Sequence, residues 1–142
     1  MIGLDCNILV QLAFADHPAN SKTLAAVLAE TQKGEKLVFP SLVVAEFLHV
    51  ATDVRRFAPP LTMAEALDWT EEFLKSPSVN LLEPAQASIN QTLHWMRQYN
   101  LGRKRILDTQ LAAILYSHGV RRLLTSNPAD FAVFTVLEIV VP

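Results

Sequence analysis

The chain is poor in cysteine, poor in charge and without a long apolar run, and each shortage removes a class of protein. A single cysteine, Cys6, among 142 residues cannot form an internal disulfide, so the disulfide-stapled secreted scaffolds are excluded and a reducing compartment is expected. Charged residues are 18% of the chain, below the roughly 25% of an average soluble protein. The apolar stretches are short and broken by charges, so none can span a bilayer. The start lacks the basic segment and cleavage-like site of a secretory signal. These readings predict a cytoplasmic protein with no membrane contact. Nor is there a basic surplus: 12 Lys and Arg face 14 Asp and Glu, for a net charge of −2. That argues against a generic nucleic-acid binder. We find no repeat, low-complexity tract or dividing linker, and the length suits one domain over residues 1–142.

What remains is a strongly apolar chain, 51% hydrophobic, in which strand and helix signals alternate. Short runs at Ile2–Asp5, Leu37–Phe39, Val79–Leu82, Arg122–Thr125 and Val136–Val141 read as strands. Helices are predicted from about Asn7, over Ser21–Gln32 with Leu24, Val27 and Leu28 on one stripe, and over Leu42–Arg56 with Ser41 as N-cap. Others are predicted over Thr62–Leu74, Pro84–Tyr99 and Arg105–His118, with a helical turn from Pro128. Alternation of this kind favours an α/β fold with a parallel sheet of about five strands, covered by helices on both faces. Residues 57–78 are the candidate for a protruding helical arm, on which the apolar positions suggest packing more than catalysis.

Four acids stand out against this frame. Asp5 ends the first strand, where an open parallel sheet binds its ligands. Glu46 falls early in a helix among Leu42, Val43, His49 and Val50, and a carboxylate on that stripe needs a partner. Asp108 lies one turn into its helix on the face of Leu111, Ala112 and Leu115. Asp130 follows Asn127-Pro128-Ala129 after the fourth strand. Each has a bland alternative. Asp5 could be a turn acid and Glu46 half of an ion pair. Asp108 could complement its helix dipole, and Asp130 could complete a capping arrangement. Together they are harder to dismiss, because strand C-termini and crossover-helix N-termini share one edge of a parallel sheet. Hard oxygen donors without His or Cys suit Mg²⁺ or Mn²⁺, and such an ion polarises phosphate and activates water. Setting those four acids aside leaves 14 less 4, or 10, against 12 basic residues. Arg103, Lys104 and Arg105, just before Asp108, are placed to contact phosphates. Cys6 reads as a small buried thiol, and Trp69 and Trp95 as core anchors; Asp16 and Asp53 read as solvated.

The segments around these acids are Asp5-Cys6-Asn7, Pro40-Ser41-Leu42-Val43-Val44-Ala45-Glu46, Ile106-Leu107-Asp108-Thr109-Gln110-Leu111-Ala112-Ala113, and Leu124-Thr125-Ser126-Asn127-Pro128-Ala129-Asp130-Phe131. In order and spacing they resemble the PIN domain over essentially the whole chain, most closely the VapC-like toxins of toxin–antitoxin pairs. The resemblance implies a Rossmann-like, three-layer α/β/α sandwich. It implies a Mg²⁺- or Mn²⁺-dependent endoribonuclease with Asp5, Glu46, Asp108 and Asp130 as catalytic and metal-holding residues. Asn7 and Thr125 match positions that steady the acids, and Asn127 shares the loop, where some members carry an acid instead. RNA as substrate, a cognate antitoxin and a homodimer are the implied partners. Two rivals remain from the residues alone. One is an aspartyl-phosphate phosphatase, although such enzymes place a second Asp where this chain has Asn7. The other is an inactive RNA- or protein-binding module.

Overall fold

The computed structural model describes residues 1–142 and contains five strands in one parallel sheet. In chain order these are β1 (Ile2–Leu4), β2 (Leu37–Pro40), β3 (Val79–Leu82), β4 (Arg122–Leu124) and β5 (Glu138–Val140). Their spatial order is β3-β2-β1-β4-β5, with every neighbouring pair parallel. The order reverses at β1, which makes the C-terminal end of β1 and β4 the topological switch point. Seven helices complete the chain: α1 (Cys6–Ala13), α2 (Asn20–Gln32), α3 (Ser41–Ala51), α4 (Met63–Leu74), α5 (Gln86–Gln98), α6 (Ile106–Ser117) and the short α7 (Pro128–Phe131). α1 packs on α2 and α3, and α3 on α4; α5 packs on α6, and α6 on α7. The sheet between them is the middle layer of the expected α/β/α sandwich. No helix is long and apolar enough to cross a membrane.

The centre of the sheet is fully apolar. Ile2, Leu4, Val38, Phe39, Leu123 and Leu124 are completely buried, within one contiguous core of 28 residues. Strands covered on both faces read as such unbroken runs. Gly3 is required by packing: a Cβ there would sit 2.5 Å from Leu115 Cδ1. The missing side chain leaves room for Leu115 of α6, the helix that carries Asp108.

Several boundaries differ from the sequence reading. Ser41 is the first residue of α3, not its cap; Pro40 holds the cap position without a side-chain bond. α3 stops at Ala51, five residues short of Arg56, because Asp53 Oδ1 accepts the backbone N–H of Arg55 at 2.9 Å and folds the chain into a turn. Asp53 is therefore not a freely solvated acid. It pairs with Arg55 and Arg56, and the Arg55 hydrogen bonds hold its pKa down at about 2. On α2 the inward stripe is Thr23, Val27 and Glu30, while Leu24 and Leu28 are exposed. Glu30 can turn inward because Arg122 Nη1 and Nη2 meet its carboxylate at 2.7 and 3.2 Å. Residues 57–78 are not a protruding arm. α4 starts with a Thr62–Glu65 capping box and buries Ala66 and Thr70. Its Trp69 ring lies 4.9 Å from Phe47, and Phe73 stacks 6.0 Å from Phe39, which ties the segment to the core.

Candidate functional site

The sheet brings Asp5 and Thr125 side by side. Leu4 pairs with Leu124, and the Asp5 N–H donates to the Leu124 carbonyl at 3.1 Å. The residues that follow the two strands therefore meet at the switch point. Asp5 is only 8% exposed, and its carboxylate is fixed by two short hydrogen bonds. Thr125 Oγ1 and Asn7 Nδ2 each donate to Asp5 Oδ2 at 2.6 Å. Asn7 Nδ2 also reaches Thr125 Oγ1 at 3.0 Å, and the Asn127 N–H donates to the same oxygen at 3.0 Å. Asn7 is thus not an N-cap for α1, which has no side-chain cap.

Behind this set lies a second layer built on Ser126, in which the sequence reading left out Gln11 and Thr23. The Ser126 N–H donates to Asn7 Oδ1 at 3.1 Å. Gln11 Nε2 donates to Ser126 Oγ at 2.9 Å, and Thr23 Oγ1 donates to Gln11 Oε1 at 2.5 Å. Gln11 and Thr23 are buried, so α2 is connected through α1 to the loop beside Asp5. A signal for this was present: Asn7 and Gln11 lie four residues apart, one turn of helix, in an otherwise apolar α1.

Asp5, Glu46, Asp108 and Asp130 line a single cleft of about 360 Å³. Asn7, Gln11 and Asn127 line it too, with Lys104, Arg56, His17 and Phe57 around them. The bland alternatives fare unevenly. Glu46 forms no ion pair and neither does Asp5. Burial pushes the Glu46 pKa up, and the charges of Asp5 and Asp108 push it further. Asp5 is likewise raised, mainly by burial, against its hydrogen bonds. Asp108 is raised from 3.8 to about 6 by burial, despite the nearby Arg105. Asp130 has no capping role for its side chain; it turns to Arg105 instead. Cys6 is buried among the acids, which drives its thiol pKa well up and leaves it unreactive.

The basic run divides. Arg103–Arg105 form a single 3₁₀ turn, in which successive side chains point about 120° apart. Lys104 lines the cleft and Arg103 is exposed. Arg105 turns inward, with Nε 3.3 Å from Asp108 Oδ2 and Nη1 3.4 Å from Asp130 Oδ1. Arg56, one of a basic pair with Arg55 in the sequence, lines the same cleft from the loop after α3, and His17, which sequence reasoning passed over, lines it from the loop after α1.

The donor chemistry fits a hard divalent cation: four carboxylates on four separate segments, aimed at one cleft. As the side chains stand, no three of the chain's His, Cys, Asp or Glu residues are gathered closely enough to hold one ion. The fit is in donor type and placement, with closing movements of the side chains still needed.

The sequence matches the family model described as PIN domain over residues 2–135. Ribonuclease VapC33 of Mycobacterium tuberculosis is 29% identical over 142 residues, covering 97% of this chain and 95% of that protein. Among solved structures, VapBC2 from Rickettsia felis bound to a DNA fragment from their promoter aligns with a TM-score of 0.68 at 19% identity, covering 99% of this chain and 98% of that one. A toxin–antitoxin complex from Klebsiella pneumoniae aligns with a TM-score of 0.63 at 17% identity, covering 99% and 96%. At such identities the two structures speak for the fold.

Proposed function

This chain belongs to the PIN domain family, and from that membership we propose that it is an endoribonuclease that depends on Mg²⁺ or Mn²⁺ and serves as the toxin of a toxin–antitoxin pair. The observation that carries the reading is the convergence of Asp5, Glu46, Asp108 and Asp130 on one cleft, with Asp5 and Glu46 in no ion pair. A relative named as a ribonuclease at 29% identity over nearly the whole chain supports it.

Asp5, Glu46 and Asp108 would hold the divalent ion, directly or through water, and Asp130 would complete the set. When bound, the ion supplies positive charge at the scissile phosphate and lowers the pKa of a water molecule. The protein's own part is positioning. Thr125 and Asn7 fix the Asp5 carboxylate, so its free oxygen keeps one direction. Asp130, whose side chain is 47% exposed, is placed to accept a hydrogen bond from the attacking water. Lys104, Arg56 and His17, which line the same cleft, would contact RNA phosphates flanking the cut. The Asn7 amide is committed to Asp5 and Thr125 and is no proton donor, which weighs against the aspartyl-phosphate alternative.

Two apolar surfaces support protein partners. A second cleft of about 380 Å³ between α2 and α4 is lined by Val27, Leu28, Leu37, Trp69, Phe73 and Val79, and suits an antitoxin segment. Ile89 and Leu93 on α5, with Ile106 and Leu107 on α6, are each nearly half exposed and suit a second copy of the chain. The test is incubation of antitoxin-free protein with cellular RNA in Mg²⁺ or Mn²⁺ and in EDTA, beside Asp5→Asn. Cleavage that needs the ion and vanishes in the folded variant is expected. RNA processing that persists in EDTA removes the metal mechanism, and a folded wild type inert under every ion leaves a binding module.

A further inference from the structure

Arg105 is well placed by charge and poorly placed by hydrogen bonding. Its Nε lies 3.3 Å from Asp108 and its Nη1 3.4 Å from Asp130. Only the Nη1 contact has hydrogen-bond geometry, and it is long. Nε and Nη2 are buried without any acceptor. The same molecule contains a structural arginine for comparison. Arg122 grips Glu30 with two nitrogens of one fork, at 2.7 and 3.2 Å, the bidentate arrangement that makes such pairs strong. Arg105 instead spreads itself between two carboxylates and satisfies neither. A buried N–H left unmade destabilises the arrangement that holds it.

The two carboxylates it spans are both members of the acid set around the cleft. Asp5 and Glu46, the other two, form no ion pair, although the charge of Arg56 reaches Glu46 across the cleft. Asp108 and Asp130 both lie against Arg105, and no three acids gather round one point.

We propose that Arg105 is an internal counter-ion that stands in for the divalent cation in the metal-free protein, and that its displacement from Asp108 and Asp130 sets how tightly the cation binds. The inference rests on the reading of the cleft as a divalent-cation site. Loose bonding is what the role requires. A bidentate pair would block the site, whereas a guanidinium with two idle nitrogens neutralises the acids and leaves when a doubly charged ion arrives. It is a positioning residue, acting through the carboxylates.

The experiment is calorimetric titration of Mn²⁺ into the full chain without RNA at neutral pH, for wild type, Arg105→Gln and Arg105→Lys, with the melting temperature followed in EDTA and in Mn²⁺. Arg105→Gln is expected to bind Mn²⁺ about tenfold more tightly, since a competing unit charge a few ångströms away is gone. Arg105→Lys keeps the charge and is expected to behave like the wild type. In EDTA the Gln variant should melt lower, and Mn²⁺ should raise its melting temperature more than it raises that of the wild type. A folded Gln variant that binds no more tightly overturns the proposal and leaves the cation site standing. A Gln variant unfolded in EDTA and rescued by Mn²⁺ supports it; one unfolded in both overturns it. Absence of binding in all three proteins at millimolar Mn²⁺ overturns the cation reading and this proposal together.

Discussion

Replacing Asp108 by Asn should stabilise the metal-free protein while destroying its proposed activity. The folded pKa of Asp108 is raised from 3.8 to about 6, chiefly by burial, with Arg105 opposing and Asp130 and Asp5 adding to the rise. An acid whose folded pKa lies above its unfolded value holds its proton more tightly when folded. Between about pH 4 and pH 6 the unfolded chain binds fewer protons, so stability falls as pH rises through that window. Above about pH 6 the whole cost is present, and below about pH 4 it has gone. A shift of roughly two units corresponds to at most about 3 kcal/mol. The side chain keeps 28% of its exposure, and its ionisation is coupled to that of Asp5 and Asp130, so about 1–2 kcal/mol is the expected gain for Asn. Urea unfolding in EDTA measures it. At about pH 7.5 the variant should be the more stable by that amount, and near pH 4 the two proteins should converge. A variant destabilised equally at both pH values would refute the argument and return Asp108 to an ordinary helix-dipole role.

Thr125→Val keeps the shape of a fully buried residue but removes the hydroxyl that donates to Asp5 and accepts from Asn7 and Asn127. Metal affinity, read by titration calorimetry, should fall about 10–100-fold with the fold retained by circular dichroism. Lys104→Gln should weaken binding of a single-stranded RNA and reduce the slope of log affinity against log salt by about 0.7, one phosphate contact; an unchanged slope would remove Lys104 from the interface. Gly3→Ala forces a methyl group against the packed Leu115 side chain and should cost about 1–3 kcal/mol in chemical unfolding. Glu30 has its pKa lowered from 4.5 to about 2, chiefly by hydrogen bonds from Arg122 and Lys33. Its stabilising effect is therefore complete above about pH 4.5 and lost as pH falls toward 2, so Glu30→Gln should destabilise at neutral pH and much less near pH 2.

The outline of the fold was legible because the signals for it are local. Val79–Leu82 is an apolar run between a Ser-Pro-Ser turn and Pro84, and it forms β3 as read. The four acids were found from their positions relative to strand ends and helix starts, and they do line one cleft. The errors arise where a side-chain partner decides. Leu24 and Leu28 looked like the buried stripe of α2, but Arg122, 92 residues away, draws Glu30 inward and turns the helix. The end of α3 is set by a side-chain-to-backbone bond from Asp53, which competes with helix and leaves no trace in apolar periodicity. Residues 57–78 looked like an excursion because Pro59-Pro60 interrupts the chain. The aromatic stack of Trp69 and Phe73 on Phe47 and Phe39 brings them back.

Arg103-Lys104-Arg105 shows why the site itself was only partly legible. Read as a run, three adjacent basic residues suggest one positive face. A 3₁₀ turn separates them, and only the middle one reaches the mouth of the cleft from outside. Arg105 is sent inward by the same turn, three residues before Asp108 on the helix that follows. Its position is thus fixed by backbone geometry, and its pairing by the two acids it happens to meet. Gly3 enters the same argument, because a Cβ there would press on the Leu115 side chain of α6, the helix that carries Asp108. Composition records an acidic chain with scattered basic residues. The fold gathers four of those acids around one cleft, with Arg105 between two of them, and on the proposal made above a doubly charged ion would take that arginine's place.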